Sequence, residues 1–315
     1  MAAILRGRNS NDVYKHSVLC TRGSDGGFQI IVKPKEKGEY KLSVFGRKIN
    51  SGDASFYLLV NYFLSADEVE ENFNPFPEHF GVWGANSMAG HCGFTPAIEK
   101  FDVLACRSGE IYMKLPVSRL VQTKSVVRPA QNEAGGDLYQ SEAVCNQSTL
   151  NQYSRGVVHV RTRLPKIGFY SLCLFAQYHD PVDNSTGYVN VANFFINCQN
   201  SSLTPSPYPR TFPMTQCFEC LLLEPLVGEL LVNEQVRFVL KSPLLTKATI
   251  GREVMLKGQG DPDDDVWWLV YTPKCSGKQI FVYGSVEEDQ SSLTAIYMFS
   301  VVGGEDDVVT VSTHM

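Results

Sequence analysis

The fold is decided by the stretch GEYKLSVFGR, residues 38–47, which returns as GFYSLCLFAQ at residues 168–177. At a spacing of 130 positions the copies share a glycine, a tyrosine and a leucine: Gly38 and Gly168, Tyr40 and Tyr170, Leu42 and Leu172. In immunoglobulin-like sandwiches a tyrosine at the start of strand F donates its hydroxyl to the upstream corner, and the residue two positions later faces the core. The repeat therefore predicts tandem immunoglobulin-like modules.

A third, more divergent copy lies in residues 266–302. There Pro273 and Gly277 lead into an alternating strand, but the tyrosine position reads Gln279 when the glycines are aligned. Most other segments are short apolar or alternating runs rich in Val, Ile, Tyr and Phe, which are typical of sandwich strands. The sequence predicts a short helix at residues 65–73, SADEVEENF, with Ser65 as its N-cap. The predicted fold class is all-β.

Turn-rich segments set the predicted domain boundaries. They give a partial first module, a linker, a second module, a proline-rich linker, a third module and a tail: residues 1–71, 72–81, 82–199, 200–213, 214–303 and 304–315. We call the three sandwiches modules 1, 2 and 3. A seven-strand sandwich needs about 100 residues. Module 1 is shorter than that, so we expect the chain to begin inside a module.

Composition narrows the class of partner. A formal net charge of −5 and the lack of any Lys or Arg run argue against nucleic acid or an anionic membrane. The opening lacks the apolar core of a secretory signal, and no apolar run approaches the roughly 20 residues that span a bilayer. We therefore expect a cytoplasmic protein whose partners are proteins.

The nine cysteines are an odd number and are scattered singly, apart from one CxxC. This usage favours reduced thiols over a disulfide framework, and leucines stand where antibody domains place a core cysteine. An alternative is a secreted, glycosylated adhesion fragment, because Asn146, Asn184 and Asn200 lie in glycosylation sequons. That alternative requires a signal peptide and paired cysteines.

The most enzyme-like stretch is WGANSMAGHCGF, residues 83–94. Cys92 stands there in a turn of small residues, as a nucleophilic cysteine often does, and it would need a histidine to accept the thiol proton. His159 and His179 are the positions to test for that role. The alternative is a buried or turn cysteine beside a core Trp83.

Two further clusters contain metal-binding residue types. Cys217 and Cys220 form a lone CxxC, which would bind zinc only with two more ligands such as Cys198 and Cys275; otherwise it is expected in a strand. The acidic run at residues 261–265 lacks the glycine and glutamate of an EF-hand loop, which favours a solvated turn over a calcium site. The sequence predicts no cofactor, no metal and no catalytic residue.

Several motifs together carry a family resemblance. The WGAN start at Trp83, the GFYSL strand at Gly168 and the FPMTQCFEC segment from residue 212 resemble the C-terminal region of the kyphoscoliosis peptidase and hillarin group. That group has a transglutaminase-like domain followed by tandem immunoglobulin-like modules. The resemblance implies a cytoskeleton-associated protein with partners at the muscle Z-disc or of the filamin type. The family's catalytic residues belong to the transglutaminase-like domain, and none can be assigned here.

The favoured hypothesis is a non-catalytic scaffold that binds proteins by accepting a partner strand at an open sheet edge. Candidate surfaces are the strands SFYLLVNYFL, residues 55–64, and YVNVANFFINC, residues 188–198. The alternatives are an accessory C-terminal part of a transglutaminase-like cysteine peptidase and a cysteine hydrolase that uses Cys92.

Overall fold

A computed structural model gives the fold of most of the chain. It describes twelve ranges of residues: 2–8, 13–22, 27–46, 56–69, 75–77, 83–100, 103–130, 148–179, 186–199, 206–258, 265–287 and 292–303. The fold class is all-β, as the sequence predicted. No described helix reaches the length and apolarity that a membrane crossing requires.

Module 1 contributes an antiparallel three-stranded sheet and a separate hairpin. Its strands are β1 (Ala2–Gly7), β2 (Val18–Arg22), β3 (Phe28–Val32), β4 (Gly38–Gly46) and β5 (Tyr57–Ala66). The sheet order is β1-β4-β5, and β2 pairs with β3. Ser65 and Ala66 end β5, so the helix predicted from Ser65 does not begin there; residues 70–73 lie outside the described ranges.

The described residues of module 2 form a two-sheet sandwich. It comprises β6 (Gly84–Ala85), α1 (Ser87–His91), a 3₁₀ turn (Pro96–Lys100), β7 (Val103–Cys106), β8 (Glu110–Pro116), β9 (Thr123–Pro129), β10 (Thr149–Ser154), β11 (Val157–Arg163), β12 (Gly168–His179) and β13 (Thr186–Cys198). One sheet has the order β10-β11-β8. The other has the order β6-β13-β12-β9, and β7 also pairs with β13, in parallel. These two sheets form an immunoglobulin-like sandwich in which the first strands, β6 and β7, pair with the last strand β13 and not with the sheet β10-β11-β8, unlike a constant-type domain.

Module 3 repeats the same plan. It comprises β14 (Arg210–Thr211), α2 (Pro213–Cys217), β15 (Leu221–Glu224), β16 (Glu229–Leu231), β17 (Val236–Lys241), β18 (Lys247–Ile250), β19 (Glu253–Val254), β20 (Leu256–Lys257), β21 (Val266–Tyr271), β22 (Gln279–Ser285) and β23 (Thr294–Val302). The sheets have the orders β15-β17-β21-β20 and β14-β23-β22-β18-β19, with β16 parallel to β23. β14 lies inside the segment predicted as a linker.

The strands form because apolar residues alternate with polar ones. In β8 the side chains of Ile111, Met113 and Leu115 are buried, and the residues between them are exposed or half-buried. β11 has the same alternation, with Val158 and Val160 buried. A period of two places every second side chain on one face of the sheet, so both strands turn their apolar face to the core of module 2.

The repeated stretch forms the same hairpin in modules 1 and 2. Leu42 faces Tyr62 in the β4–β5 pair, and Leu172 faces Phe194 in the β12–β13 pair. Both hairpins carry a β-bulge at the equivalent place, after Val44 in module 1 and after Leu174 in module 2. The bulge fixes which residue of one hairpin corresponds to which residue of the other.

An aromatic cluster joins module 1 to module 2. Phe76 lies between Leu19 of module 1 and Phe195 of module 2, and Trp83 packs on the same Phe195 ring at 5.6 Å between centroids. The Phe76 amide also donates to the His16 carbonyl oxygen at 2.9 Å. The short segment around Phe76 therefore packs against both modules.

Modules 2 and 3 meet through buried polar contacts. The Gln216 side chain accepts from the Thr123 amide at 2.7 Å and donates to the Thr123 carbonyl oxygen at 2.7 Å. The side-chain amide of Gln152 donates to the Tyr297 hydroxyl at 2.7 Å, and that hydroxyl donates to the Cys220 carbonyl oxygen at 2.8 Å. Buried polar groups without partners are costly, so these matched pairs fix the relative position of the two modules.

Candidate functional site: the Cys92 turn and the β5 edge

The corner tyrosines hold the ends of the repeated hairpins. The Tyr40 hydroxyl donates to the Glu36 carbonyl oxygen at 2.5 Å, and the Tyr170 hydroxyl donates to the Lys166 carbonyl oxygen at 2.9 Å. Both rings are buried. Burial raises the pKa of Tyr40 despite its hydrogen bond to the backbone, so the hydroxyl stays a neutral donor.

The glycine two residues before each tyrosine has a backbone that other residues rarely adopt. Gly38 has φ +153° and Gly168 has φ +147°, in the region that L side chains avoid. The leucines two residues after the tyrosines, Leu42 and Leu172, are buried in the cores of their modules. The structure thus explains each repeated residue type: the glycines adopt a positive φ, the tyrosines hydrogen-bond the upstream backbone and the leucines fill the core.

Cys92 lies at the C-terminal end of α1, with 1% of its surface exposed. Burial raises the pKa of the Cys92 thiol, and the nearby Arg119 charge lowers it by less. Among the described side chains no imidazole lies within hydrogen-bonding distance of its Sγ. A raised pKa and burial are the opposite of what a thiolate nucleophile needs.

His159 is engaged elsewhere. Its Nδ1 lies 2.7 Å from the Tyr112 hydroxyl on the neighbouring strand. Burial first, then the charges of Lys114 and Arg161, lower the pKa of His159 to about 4. The side chain of His179 lies outside the described residues. The described geometry therefore provides no base for Cys92.

The turn around Cys92 occurs a second time in the molecule. At the end of α1 the Cys92 amide donates to the Met88 carbonyl oxygen, and the Phe94 amide donates to the Ala89 carbonyl oxygen. At the end of α2 the Phe218 amide donates to the Met214 carbonyl oxygen, and the Cys220 amide donates to the Thr215 carbonyl oxygen. Each helix begins two residues after a short strand that pairs with the last strand of its module. Phe218 occupies the position of Cys92, so the position is a buried helix end.

The first turns of these two helices are capped differently. The Asn86 side chain accepts from the Met88 amide at 2.8 Å, whereas in α2 the Thr215 hydroxyl accepts from the Phe212 amide at 3.2 Å. Both arrangements satisfy an amide that the helix leaves unpaired. Sequence reasoning missed this repeat, although Met88 and Met214 are the shared signal.

The CxxC lies in a helix and its following turn, not in the strand that was predicted. Cys217 ends α2, and its Sγ accepts from the Gln122 side chain at 3.1 Å. Cys220 is fully buried, and burial raises the pKa of its thiol to about 12. Within the described ranges, no three Cys, His, Asp or Glu side chains come together as a metal site.

The remaining candidates have structural contacts. Asp265 forms an ion pair with Arg155 of module 2, and residues 261–264 of the acidic run lie outside the described ranges. Trp83 packs in the aromatic cluster between modules 1 and 2, whereas Cys92 belongs to the core of module 2. The thiols of Cys92, Cys106, Cys217, Cys220 and Cys275 form no disulfide.

The surface that stands out is strand β5. Its residues from Tyr57 to Phe63 are all exposed, and the strand contains no charged residue. At the equivalent positions of β13, Phe194 is 0% exposed and Phe195 is 5% exposed, against 50% for Tyr62 and 69% for Phe63. Among the residues that the structure describes, β5 pairs with β4 alone.

Comparison with known proteins agrees with this architecture. A family model for the KY-like, immunoglobulin-like domain matches residues 4–77. Mouse kyphoscoliosis peptidase is 24% identical over 267 residues, which cover 84% of this chain and 36% of that protein. The chain resembles the KY immunoglobulin-like region. The matched residues span about a third of the length of the peptidase. The resemblance therefore concerns that third of the peptidase and not the whole protein.

The chain is also similar to several solved structures, at lower sequence identity. Fibronectin(III)-like modules of Clostridium thermocellum CbhA are 12% identical, with a TM-score of 0.18, over 62% of this chain and 89% of theirs. A marsupial T cell receptor is 7% identical, with a TM-score of 0.20, over 95% of this chain and 90% of its own. At these TM-scores the likeness supports no inference about how the modules are arranged or what they bind.

Proposed function

We propose that this chain is a non-catalytic protein-interaction array of immunoglobulin-like modules. The observation that carries the proposal is the run of immunoglobulin-like sandwiches, in which Cys92, the most enzyme-like residue of the sequence, is a buried core side chain. The buried polar contacts between modules 2 and 3 support it, because they hold two modules as one rigid body. A rigid pair of modules is suited to a scaffold.

The proposed partners are cytoskeletal proteins of the filamin or Z-disc type, in the cytoplasm. The support is the resemblance to the KY region and the cysteines that form no disulfide, which fit a reducing compartment. The test is to express the tagged full chain in cultured muscle cells and to measure its share in the detergent-insoluble cytoskeletal fraction. We expect enrichment there with a striated distribution, and a fully diffuse, detergent-soluble chain would overturn the proposal.

A second candidate is an accessory region of a transglutaminase-like cysteine peptidase. The observation in its favour is that the relative, by its name a peptidase, is matched over only 36% of its length. On this proposal the modules position the enzyme or its substrate. Adding the chain to the separately produced peptidase should then change hydrolysis of a protein substrate, and unchanged rates at saturating chain would argue against it.

The hydrolase hypothesis for Cys92 has a direct test of its own. With 1% exposure and a raised pKa, Cys92 should resist iodoacetamide in the folded chain, whereas the exposed Cys275 reacts. Mass spectrometry of the alkylated peptides measures both sites in one sample. Rapid labelling of Cys92 before unfolding would restore the hydrolase hypothesis.

A further inference from the structure

The outward face of β8 and β11 in module 2 brings together charges that lie apart in the sequence. Alternate residues of a strand lie on one face of the sheet, and β8 pairs with β11 in an antiparallel register. We call the resulting surface the β8–β11 face. It consists of three directly paired positions: Glu110 with Arg163, Tyr112 with Arg161, and Lys114 with His159. Three basic side chains therefore share this face with one carboxylate.

The third strand of this sheet, β10, is covered by module 3. Leu150 of β10 belongs to the apolar core of module 3, and the Gln152 side chain hydrogen-bonds a tyrosine of that module. On β8, by contrast, Tyr112 is 42% exposed and Lys114 is also exposed. The accessible part of the sheet is therefore the β8–β11 face, next to a module that is held rigidly.

The Tyr112 ring organises the charged groups of this face. The Arg161 guanidinium lies 4.1 Å from the ring centroid, and the Lys114 ammonium lies 5.7 Å from it. The Tyr112 hydroxyl lies 2.7 Å from Nδ1 of His159, whose ring stacks on that of the tyrosine. Cation–π contacts of this kind restrict flexible basic side chains, so two cations are held in place around one exposed ring.

The charges of the β8–β11 face do not balance. The Glu110 carboxylate is shared by Arg161, at 3.2 Å, and Arg163, at 3.3 Å. Lys114 forms no ion pair with any residue that the structure describes. After burial, the charges of Lys114 and Arg161 are the causes that lower the pKa of His159, which indicates a positive potential there. The face is thus locally basic on a chain whose formal net charge is −5.

We propose that the β8–β11 face binds an acidic segment of a partner polypeptide, with carboxylates on Lys114 and Arg161 and the segment lying over the Tyr112 ring. This inference deepens the proposed function and rests on it. Lys114 and Arg161 are diagonal neighbours in the antiparallel pair, which places them about 7–8 Å apart. Alternate residues of an extended chain are about 7 Å apart. The matching occupant is an extended segment with acidic residues at alternate positions.

A phosphate group matches this face less well than carboxylates do. Phosphate recognition typically uses both arms of a guanidinium fork. Arg161 already donates through Nη1 to Glu110, and Arg163 donates through Nε to Glu110 and through Nη1 to the carbonyl oxygens of Ser206 and Leu226. The face therefore offers separate single contacts from two strands, which suit two carboxylates.

The probe is an eight-residue peptide of alternating glutamate and threonine with a fluorophore at its N-terminus. Its binding to the full chain is followed by fluorescence anisotropy at pH 7. We expect saturable binding that weakens as the ionic strength rises from about 50 mM to about 300 mM. A peptide with glutamine in place of glutamate should not bind. A third peptide, with phosphoserine in place of glutamate, tests a preference for phosphate.

Two charge-reversal variants test whether binding is local to this face. Lys114→Glu changes an exposed side chain and should weaken binding about fivefold or more, because it replaces attraction with repulsion. Lys274→Glu makes the same change at an exposed position of module 3 and should leave the dissociation constant unchanged. Thermal unfolding of both variants reports whether they remain folded.

Nuclear magnetic resonance of the histidine-labelled chain gives an independent location. The His159 ring resonance, assigned by its loss in His159→Gln, should shift when the glutamate peptide is added. The resonance of His16, in module 1, should not shift. This measurement needs no change to the β8–β11 face itself, so it decides the location even if a variant fails to fold.

The results divide as follows. Glutamate-peptide binding that shifts His159 and is lost in Lys114→Glu alone supports the inference. Three results overturn it: no binding at millimolar peptide, equal weakening in Lys274→Glu, or binding of the phosphoserine peptide alone. A dimer in sedimentation velocity that Lys114→Glu dissociates also overturns it, because the occupant is then a second copy. Each overturning result leaves the cytoskeletal proposal standing, because fractionation of the full chain tests that proposal separately.

Discussion

The β4–β5 hairpin of module 1 and the β12–β13 hairpin of module 2 share register, bulge and tyrosine corner. They differ in what covers their second strand. β13 is covered by β6, β7 and the Trp83 cluster, whereas β5 is exposed over most of its length. Local sequence therefore determines the hairpin, and the neighbouring segments determine whether it is core or surface.

The largest effect should come from the inward aromatic ring of each second strand. Phe194 is fully buried in the module 2 core, and the equivalent Tyr62 is half exposed. We expect Phe194→Ala to lower the free energy of unfolding by about 3–5 kcal/mol and Tyr62→Ala to lower it by less than about 1 kcal/mol. Urea titration followed by hydrogen exchange in each hairpin measures both. Equal losses would mean that β5 is covered in solution.

The corner tyrosines should behave alike, because the two corners have the same contact. Tyr40→Phe and Tyr170→Phe each remove a hydroxyl that donates to a backbone carbonyl four residues upstream. Each change should cost about 0.5–1.5 kcal/mol of unfolding free energy. Thermal unfolding of both variants, compared with Tyr283→Phe as a control away from the corners, provides the measurement. A cost for one corner only would show that the hairpins are not equivalent.

Much of this comparison could be predicted from the sequence, because its signals are local. Three signals lie within five residues: a glycine at positive φ, a tyrosine that bonds the backbone just upstream and an inward leucine. Gly168, Tyr170 and Leu172 are therefore enough to predict the start of a strand. The exposure of β5 could not be predicted in this way. β5 and β13 have similarly apolar sequences, and burial depends on segments distant in the chain.

The same reasoning explains why the second repeat was missed. The turns at α1 and α2 share backbone hydrogen bonds, yet Asn86 caps one helix and Thr215 helps to cap the other. The two side chains accept from different amides, that of Met88 in α1 and that of Phe212 in α2, so the capping residues diverge while the backbone hydrogen bonds of the turn persist. The turn at α1 resembles a cysteine active site because Cys92 lies at its helix end. The turn at α2 has Phe218 at the same position.

Acid should act on module 2 through His159. Its pKa is lowered to about 4 in the folded chain, mainly by burial, against about 6.5 when unfolded. Between these values the unfolded chain binds more protons, so the free energy of unfolding falls as pH drops from about 6.5 to about 4. We expect a loss on the order of 1 kcal/mol, since His159 is partly exposed and solvent screens its charge. The loss should be absent in His159→Gln, and an unchanged pH slope in that variant would contradict the assignment.

The smallest effect should come from the outward ring of β5. Phe63 is 69% exposed, and the Arg8 guanidinium forms a cation–π contact with its ring, 5.7 Å from the ring centroid. An exposed cation–π contact contributes about 0.5 kcal/mol, so Phe63→Ala should change the free energy of unfolding by no more than that. Leu256→Ala, at another exposed strand position, is the matched control. A loss above about 1 kcal/mol for Phe63 alone would mean that a covering segment buries this ring in solution, as Trp83 and Phe76 bury Phe195.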